Sequence, residues 1–293
     1  MPRFTADRDE RIIDFLRRRL PDWKTATIKQ RLRDGLVKCA GNPISSGAAM
    51  LRTGDEIEVS ARSGPRRGTV LPPSLGEPPL PVLYADDHLL AVDKPSGLLT
   101  VASERERSLT AIKLMRDWLA GTNRDAARRL HAAHRLDRDA SGVLLLARSL
   151  DVKRQLAASW HNFQKTYLAV TDGVPEEAEG SIDVGLWEDK ALFVRPAERG
   201  RGETALTHYR VLQSDGGRSL MEVRLGTGRK HQIRVHLAYI GCPIVGDVRY
   251  GVSKASRLAL HAHRLELFHP SDGTTVSIVA KVPPLFRRML CRG

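Results

Sequence analysis

The chain has 293 residues, 41% hydrophobic and 28% charged, enough apolar material for two domains or one large one. No stretch approaches the roughly 18 consecutive apolar residues of a membrane span, and residues 1–20 lack an export signal, so a cytoplasmic protein with no membrane partner is expected. The 47 Lys and Arg against 34 Asp and Glu leave a net charge of +13, which points to nucleic acid rather than a small metabolite as partner.

Three cysteines, Cys39, Cys242 and Cys291, are too few and too dispersed for a disulfide framework or a thiolate zinc site. Only 15 aromatic residues argue against a binder built on base-stacking platforms.

In chain order, Ile12, Ile13, Leu16 and Leu20 form a helical stripe, with Arg17–Arg19 mostly outside it. A second helix is predicted from Thr27, whose hydroxyl can cap while Gln30 answers three residues on, to Gly35. Short strands are predicted at Leu36–Cys39 and around Ile57 and Val59, punctuated by the Gly41-Asn42 and Gly54-Asp55 turns. These make a small α+β module, residues 1–62, carrying +4. Six prolines and three glycines within Ser63–Pro81 mark residues 63–80 as a semi-extended linker. The remainder, 81–293, carries +8.

Beyond the linker, Leu89–Asp93 and Val143–Ala147 are apolar runs of strand length, and Lys165–Thr171 alternates around β-formers. Helices are predicted over Leu109–Leu119 and from Lys230 to Ile240, the second closed by Gly241 and Pro243. Strands recur without regular alternation with helices, so the fold class is α+β with a mixed, largely antiparallel sheet.

The densest polar cluster, His131 to Gly142, carries His134, Arg135, Asp137, Arg138 and Ser141 and runs straight into a buried strand. A carboxylate delivered on a loop at a strand edge suits catalysis, and the flanking Arg135 and Arg138 favour its ionised form. A metal site from His131, His134 and Asp137 would need a helix that the following Ser-Gly turn opposes, and no second ligand motif completes one. The second cluster, Gly226 to Leu237, places Arg229 and Lys230 before a helix, where an anion can bind. Lys165-Thr-Tyr167 and Leu260-His-Ala are weaker signals, each compatible with simple packing.

Together these segments resemble the large pseudouridine synthase family of the RluA type across residues 81–285. His134-Arg-Leu-Asp137 through Ser141-Gly142 resembles its H-R-L-D motif, and Thr227-Gly-Arg229-Lys-His231-Gln-Ile-Arg234 its TGR-x-H-Q-I-R motif. Asp93-Lys94-Pro95-Ser96-Gly97, Lys165-Thr-Tyr167, Gly241–Asp247 through Tyr250-Gly251, and Leu260-His-Ala follow in order. Residues 1–62 resemble the small RNA-binding module first named for ribosomal protein S-four.

The resemblance implies an RNA pseudouridine synthase, which isomerises a uridine in RNA by breaking its glycosidic bond and rejoining the base through carbon 5. It implies Asp137 as the essential carboxylate, acting as nucleophile or as base, and Tyr167 as the residue that packs on the base and takes the carbon 5 proton. It also implies Arg229 as the cation paired with Asp137, Arg135 as filler of the gap left by the flipped nucleotide, and Leu260 as lining of the uracil pocket. His134, Lys165 and Lys230 are expected to complete the RNA-binding surface. No cofactor and no metal are expected, since the reaction is an internal rearrangement. The expected substrate is large-subunit (23S) ribosomal RNA, with a transfer RNA enzyme or a catalytically silent RNA-binding or ribosome-assembly factor as alternatives, and the expected state is a monomer.

Overall fold

A computed structural model describes residues 3–21, 23, 25–33, 37–59, 76–103, 106, 109–198, 201–253 and 255–291. Its contacts divide the chain into two compact units, Met1–Arg67 with Leu267–Val276, and Gly68–Glu266 with Ser277–Gly293. The first break falls between residues 67 and 68, and residues 60–75, which hold most of the expected linker, lie outside the described residues; the two later breaks fall within the strands Leu260–Phe268 and Thr275–Val279, which are described with the second unit.

The first unit runs β1 (Arg3–Thr5), β2 (Glu10–Arg11), α1 (Ile12–Arg19), α2 (Thr25–Arg33), β3 (Val37–Cys39), β4 (Asn42–Pro43), β5 (Met50–Leu51) and β6 (Glu56–Val59). Its antiparallel sheet has the order β1-β6-β3-β4, and β2 pairs with β5. Ile12 and Leu16 of the expected stripe are buried with Ile28, Leu32, Val37, Ile57 and Val59. Phe15, absent from that stripe, is fully buried among them and widens the apolar face of α1. The second helix begins at Thr25 rather than Thr27. The side chains of Thr27 and Gln30, and Gly35, lie outside the described residues.

The second unit continues with β7 (Val82–Ala85), β8 (Leu89–Lys94), α3 (Ala111–Ala120), α4 (Arg124–Arg129), β9 (His131–Ala132), β10 (Ser141–Ala147), α5 (Leu150–Ser159) and β11 (Gln164–Asp172). Then come β12 (Glu179–Asp183), β13 (Leu186–Glu188), β14 (Val194–Pro196), β15 (Leu206–Asp215), β16 (Arg218–Leu225), α6 (Gln232–Tyr239), β17 (Leu260–Phe268), β18 (Thr275–Val279) and α7 (Leu285–Leu290). The main sheet has the order β12-β15-β16-β11-β17-β10-β8-β7, with β18 on β17 and β9 on β10. This is the α+β class expected, a mixed and mostly antiparallel sheet with helices grouped outside it.

β10 is buried at all seven positions, which is why its sequence is an uninterrupted apolar run rather than an alternation. It pairs antiparallel with β8 and parallel with β17, the two contacts that bring distant motifs side by side. Thr110, Asn123 and Ser149 accept from the backbone amides of Lys113, Ala126 and Val152, capping α3, α4 and α5. The short helix α4 buries only Ala127, so it carries no apolar period from which a sequence could predict it.

Two features aim the strands at the site. Between Thr166 and Tyr167 the β11–β17 register shifts, with His263 as the extra residue on β17, and such a bulge redirects the side chains beyond it. Gly142 adopts φ +109°, and a Cβ there would come 2.2 Å from the Ala262 carbonyl oxygen, so only glycine lets β10 approach β17. Gly142→Ala is therefore expected to separate the two strands and destabilise the protein by more than about 3 kcal/mol, measurable as a large drop in the urea midpoint. An unchanged midpoint would show that the close approach is dispensable.

Candidate active site

A cavity of about 500 Å³ opens in the second unit where β10, β11, β17 and α6 converge. All eight residues expected to form the site line it, namely Asp137, Tyr167, Arg229, Arg135, Lys165, Lys230, Leu260 and His134. Segments separated by more than a hundred residues in the chain thus share one wall, although the sequence gives no contact between them.

The Asp137 loop is held by the segment after β8. Lys94 is fully buried, and its ammonium donates to three carbonyls, those of Pro95 (3.0 Å), Leu98 (2.7 Å) and Arg138 (3.0 Å). Burial lowers its pKa to about 8, against the opposing pull of Asp139 and Asp137. Ser96 Oγ donates to the Asp139 carbonyl (2.6 Å), the Gly97 amide to the Arg138 carbonyl (2.9 Å), and Thr100 Oγ1 bonds both the amide and the carbonyl of Leu136 (3.1 Å each). Every residue from Leu136 to Asp139 except Asp137 is therefore tied by its backbone, and the Asp137 side chain is left to the cavity.

The cation on Asp137 is Arg234 and not Arg229. Arg234 Nη1 donates to Asp137 Oδ2 (3.2 Å), while its Nε and Nη2 bind the buried Asp247 bidentately (2.7 and 2.8 Å). Burial opposes the charge on Arg234, but the Asp247 hydrogen bonds and the charges of both carboxylates outweigh it and raise its pKa. Asp247 is fixed in turn by the amides of Arg249 (2.9 Å) and Tyr250 (3.1 Å). Arg229 instead pairs with Glu203 (2.6 Å) and donates to the Thr204 carbonyl (3.1 Å). The reversal follows from the start of α6: Arg229 precedes the helix and is exposed, whereas Arg234 lies on a helix buried from Gln232 to Leu237.

Tyr167 stands in the same cavity, and burial, reinforced by the negative charge of Asp137, pushes its phenol pKa up, so the hydroxyl is protonated. Leu260 is 4% exposed and joins the core beneath the cavity. Arg135 is exposed on the lining, with no protein partner among the described residues. Lys165 is buried, donates to the Trp160 carbonyl (3.3 Å) and has its pKa lowered by burial.

Two further expected RNA contacts are likewise engaged by the protein itself. Lys230 pairs with Glu188. His134 stacks on Trp160 (4.8 Å), accepts the Leu145 amide on Nε2 (3.0 Å), and has its pKa lowered to about 4 by burial, so it serves as a wall. Lys94, Arg234, Asp247 and Tyr250 stand within the sequence motifs without an expected role, and the structure brings them to the site. The signal available was the pairing of a buried-type motif aspartate, Asp247, with an arginine inside an apolar helix.

Comparison with known proteins agrees with this layout. Residues 88–239 match the family model described as RNA pseudouridylate synthase. The chain is 32% identical to the ribosomal large subunit pseudouridine synthase D of Xanthomonas campestris, over 98% of this chain and 88% of that one. It is 37% identical to the tRNA pseudouridine synthase C of Pectobacterium carotovorum, over 69% of this chain and 59% of that one. Among solved structures, human RNA pseudouridylate synthase domain containing 4 superposes with a TM-score of 0.60 at 28% identity, covering 72% of this chain and 91% of that one.

His134 and the buried His261 both have pKa values lowered to about 4 by burial, so the folded state holds them neutral while the unfolded chain protonates them near 6.5. Their contribution is complete above about pH 6.5 and is lost as pH falls toward 4. Melting temperature is thus expected to fall by several degrees across that window, and less steeply in His261→Gln. Identical slopes for variant and wild type would contradict the assignment.

Proposed function

Since the chain belongs to the RNA pseudouridine synthase family, we propose that it isomerises uridine in large-subunit (23S) ribosomal RNA, with Asp137 as its essential carboxylate. The observation that carries the site assignment is the Asp137–Arg234 pair (3.2 Å) beside Tyr167 in a cavity of about 500 Å³. A carboxylate covered by an extruded nucleotide loses water, and a fixed guanidinium keeps it anionic there. As an anion it can attack the sugar at carbon 1′ or remove the 2′ proton, and either step releases the uracil for rotation.

Tyr167 supplies a flat surface for the rotating base. Because its phenol is protonated, taking the carbon 5 proton requires that its own hydroxyl proton be passed in the same step to the base, whose N1 gains a hydrogen in place of the broken glycosidic bond. The leaving proton and the incoming one balance, so the site ends in its starting state. Arg135, exposed and unpaired among the described residues, has the planar cation and the reach to replace the flipped base in its stack.

The preference for ribosomal RNA rests on the relative from Xanthomonas campestris, whose match spans nearly the whole chain, including the N-terminal segment. Transfer RNA is the second reading, favoured by the match to tRNA pseudouridine synthase C. Residues 1–62, linker 63–80 and catalytic domain 81–293 form the working division, with the first acting as an RNA-binding module. The enzyme works as a cytoplasmic monomer; among the described residues no helix is long and apolar enough to cross a membrane.

Two experiments test this. Pseudouridine is mapped in all RNA of cells lacking the protein, then after return of wild type or Asp137→Asn. Loss of one or a few sites in 23S RNA, restored by wild type alone, is the expected pattern; restoration by Asp137→Asn would remove the carboxylate from the mechanism, and lost sites in transfer RNA would move the substrate. Deleting residues 1–62 is expected to weaken RNA affinity about tenfold or more while leaving single-turnover rates on bound RNA within about threefold. A rate collapse at unchanged affinity would count against a binding role.

A further inference from the structure

We propose that His231 contacts the substrate, donating a hydrogen bond from Nε2 to an oxygen of the ribose on which Asp137 acts, and that Tyr250 is the positioning residue that sets its tautomer. This rests on the function proposed above. His231 lines the cavity together with Asp137 and Arg234. Its backbone is left-handed, φ 53° and ψ 18°, immediately before α6, and its side chain makes no helix-capping bond. That conformation favours glycine and is disfavoured for a residue with a Cβ. A histidine held there carries backbone strain that the imidazole must justify, and such strain gathers at functional sites.

The hydrogen bonds around Tyr250 are consistent with a proton on the far ring nitrogen. Tyr250 Oη receives the Val194 amide (3.2 Å) and lies 2.8 Å from His231 Nδ1. An amide can only donate, so the phenol accepts from Val194 and has one proton left to give. Nδ1 is the acceptor in reach. In the proposed arrangement Tyr250 gives that proton to Nδ1, so the neutral ring carries its own on Nε2, which has no protein partner among the described residues. Burial lowers the His231 pKa despite the nearby Asp137 charge, which favours that neutral ring.

Three contacts hold the donor in place. The Tyr250 ring meets the His231 ring edge to face (5.6 Å), Phe193 packs against Tyr250 (5.2 Å), and the Arg234 guanidinium sits over the same Tyr250 ring (5.1 Å). One tyrosine thus orients both the cation bound to Asp137 and the imidazole beside it. With Asp137 working at the sugar, the part of the nucleotide within reach of His231 is that sugar. A neutral donor suits the place, since a second full cation would compete with Arg234 for the carboxylate.

The test separates the far nitrogen from the near one. In His231→Asn the side-chain carbonyl can take over from Nδ1 as acceptor for Tyr250, and Asn tolerates the left-handed backbone, but no donor reaches the Nε2 position. His231→Gln restores an amide donor at about the reach of Nε2. Purified wild type and variants act on total RNA from cells lacking the protein, and single-turnover rate, RNA affinity and melting temperature are measured, with Asp137→Asn as the inactive control. The expected result is a rate about tenfold or more lower in His231→Asn, affinity within about twofold, melting temperature unchanged, and a higher rate in His231→Gln than in His231→Asn. Wild-type rates in His231→Asn, equal losses in both variants, or a loss confined to affinity or melting temperature would overturn the proposal. Absence of Asp137-dependent product with wild type would overturn the function itself, and this contact with it.

Discussion

The site is organised by one arginine shared between two carboxylates. Arg234 is held in two bonds by Asp247, which is wholly buried, and offers its remaining Nη1 edge to Asp137. Coulomb attraction alone would not set this division, because both acids carry the same charge. Geometry does: Asp247 sits in a turn whose amides also bind it, so it anchors, while Asp137 lies on a loop facing open volume. Breaking a buried pair of this kind costs about 3–5 kcal/mol when one partner is lost. The anchor thus steadies the fold, and the single longer bond leaves the Asp137 carboxylate open to the cavity.

The second constraint is the lysine under the loop. A buried ammonium is unfavourable unless each of its three N–H groups finds an acceptor, and Lys94 meets that condition with two carbonyls from the segment after β8 and one from the Asp137 loop. Holding loop backbone rather than loop side chains has a particular benefit. The Asp137 carboxylate remains uncommitted except toward Arg234, so rigidity and reactivity do not conflict.

The broad plan was legible in the sequence because each part has a local signal. β10 reads as an unbroken apolar run, His134 to Gly142 as a charged loop before it, and Gly226 to Leu237 as a basic turn before a helix. The partner of Asp137 was not legible. Arg229, the cation expected there, and Arg234 stand in one motif, and the left-handed turn at His231 between them leaves no mark in residue types. The stacking of His134 on Trp160 was not legible for the same kind of reason: it joins the loop after β9 to the residue that follows α5. Lys94 and Tyr250 act through contacts that only the assembled sheet creates.

The ion pair at the centre of the site joins residues 97 positions apart. At roughly 5–20 residues per second, a ribosome needs about 5–20 s to make Arg234 after Asp137. During that interval the growing chain already carries the Asp137 carboxylate but lacks the guanidinium that faces it in the folded protein. Under the proposed assignment, chain order therefore acts as a timer: the site is completed only when the last third of the polypeptide is being translated and folded back.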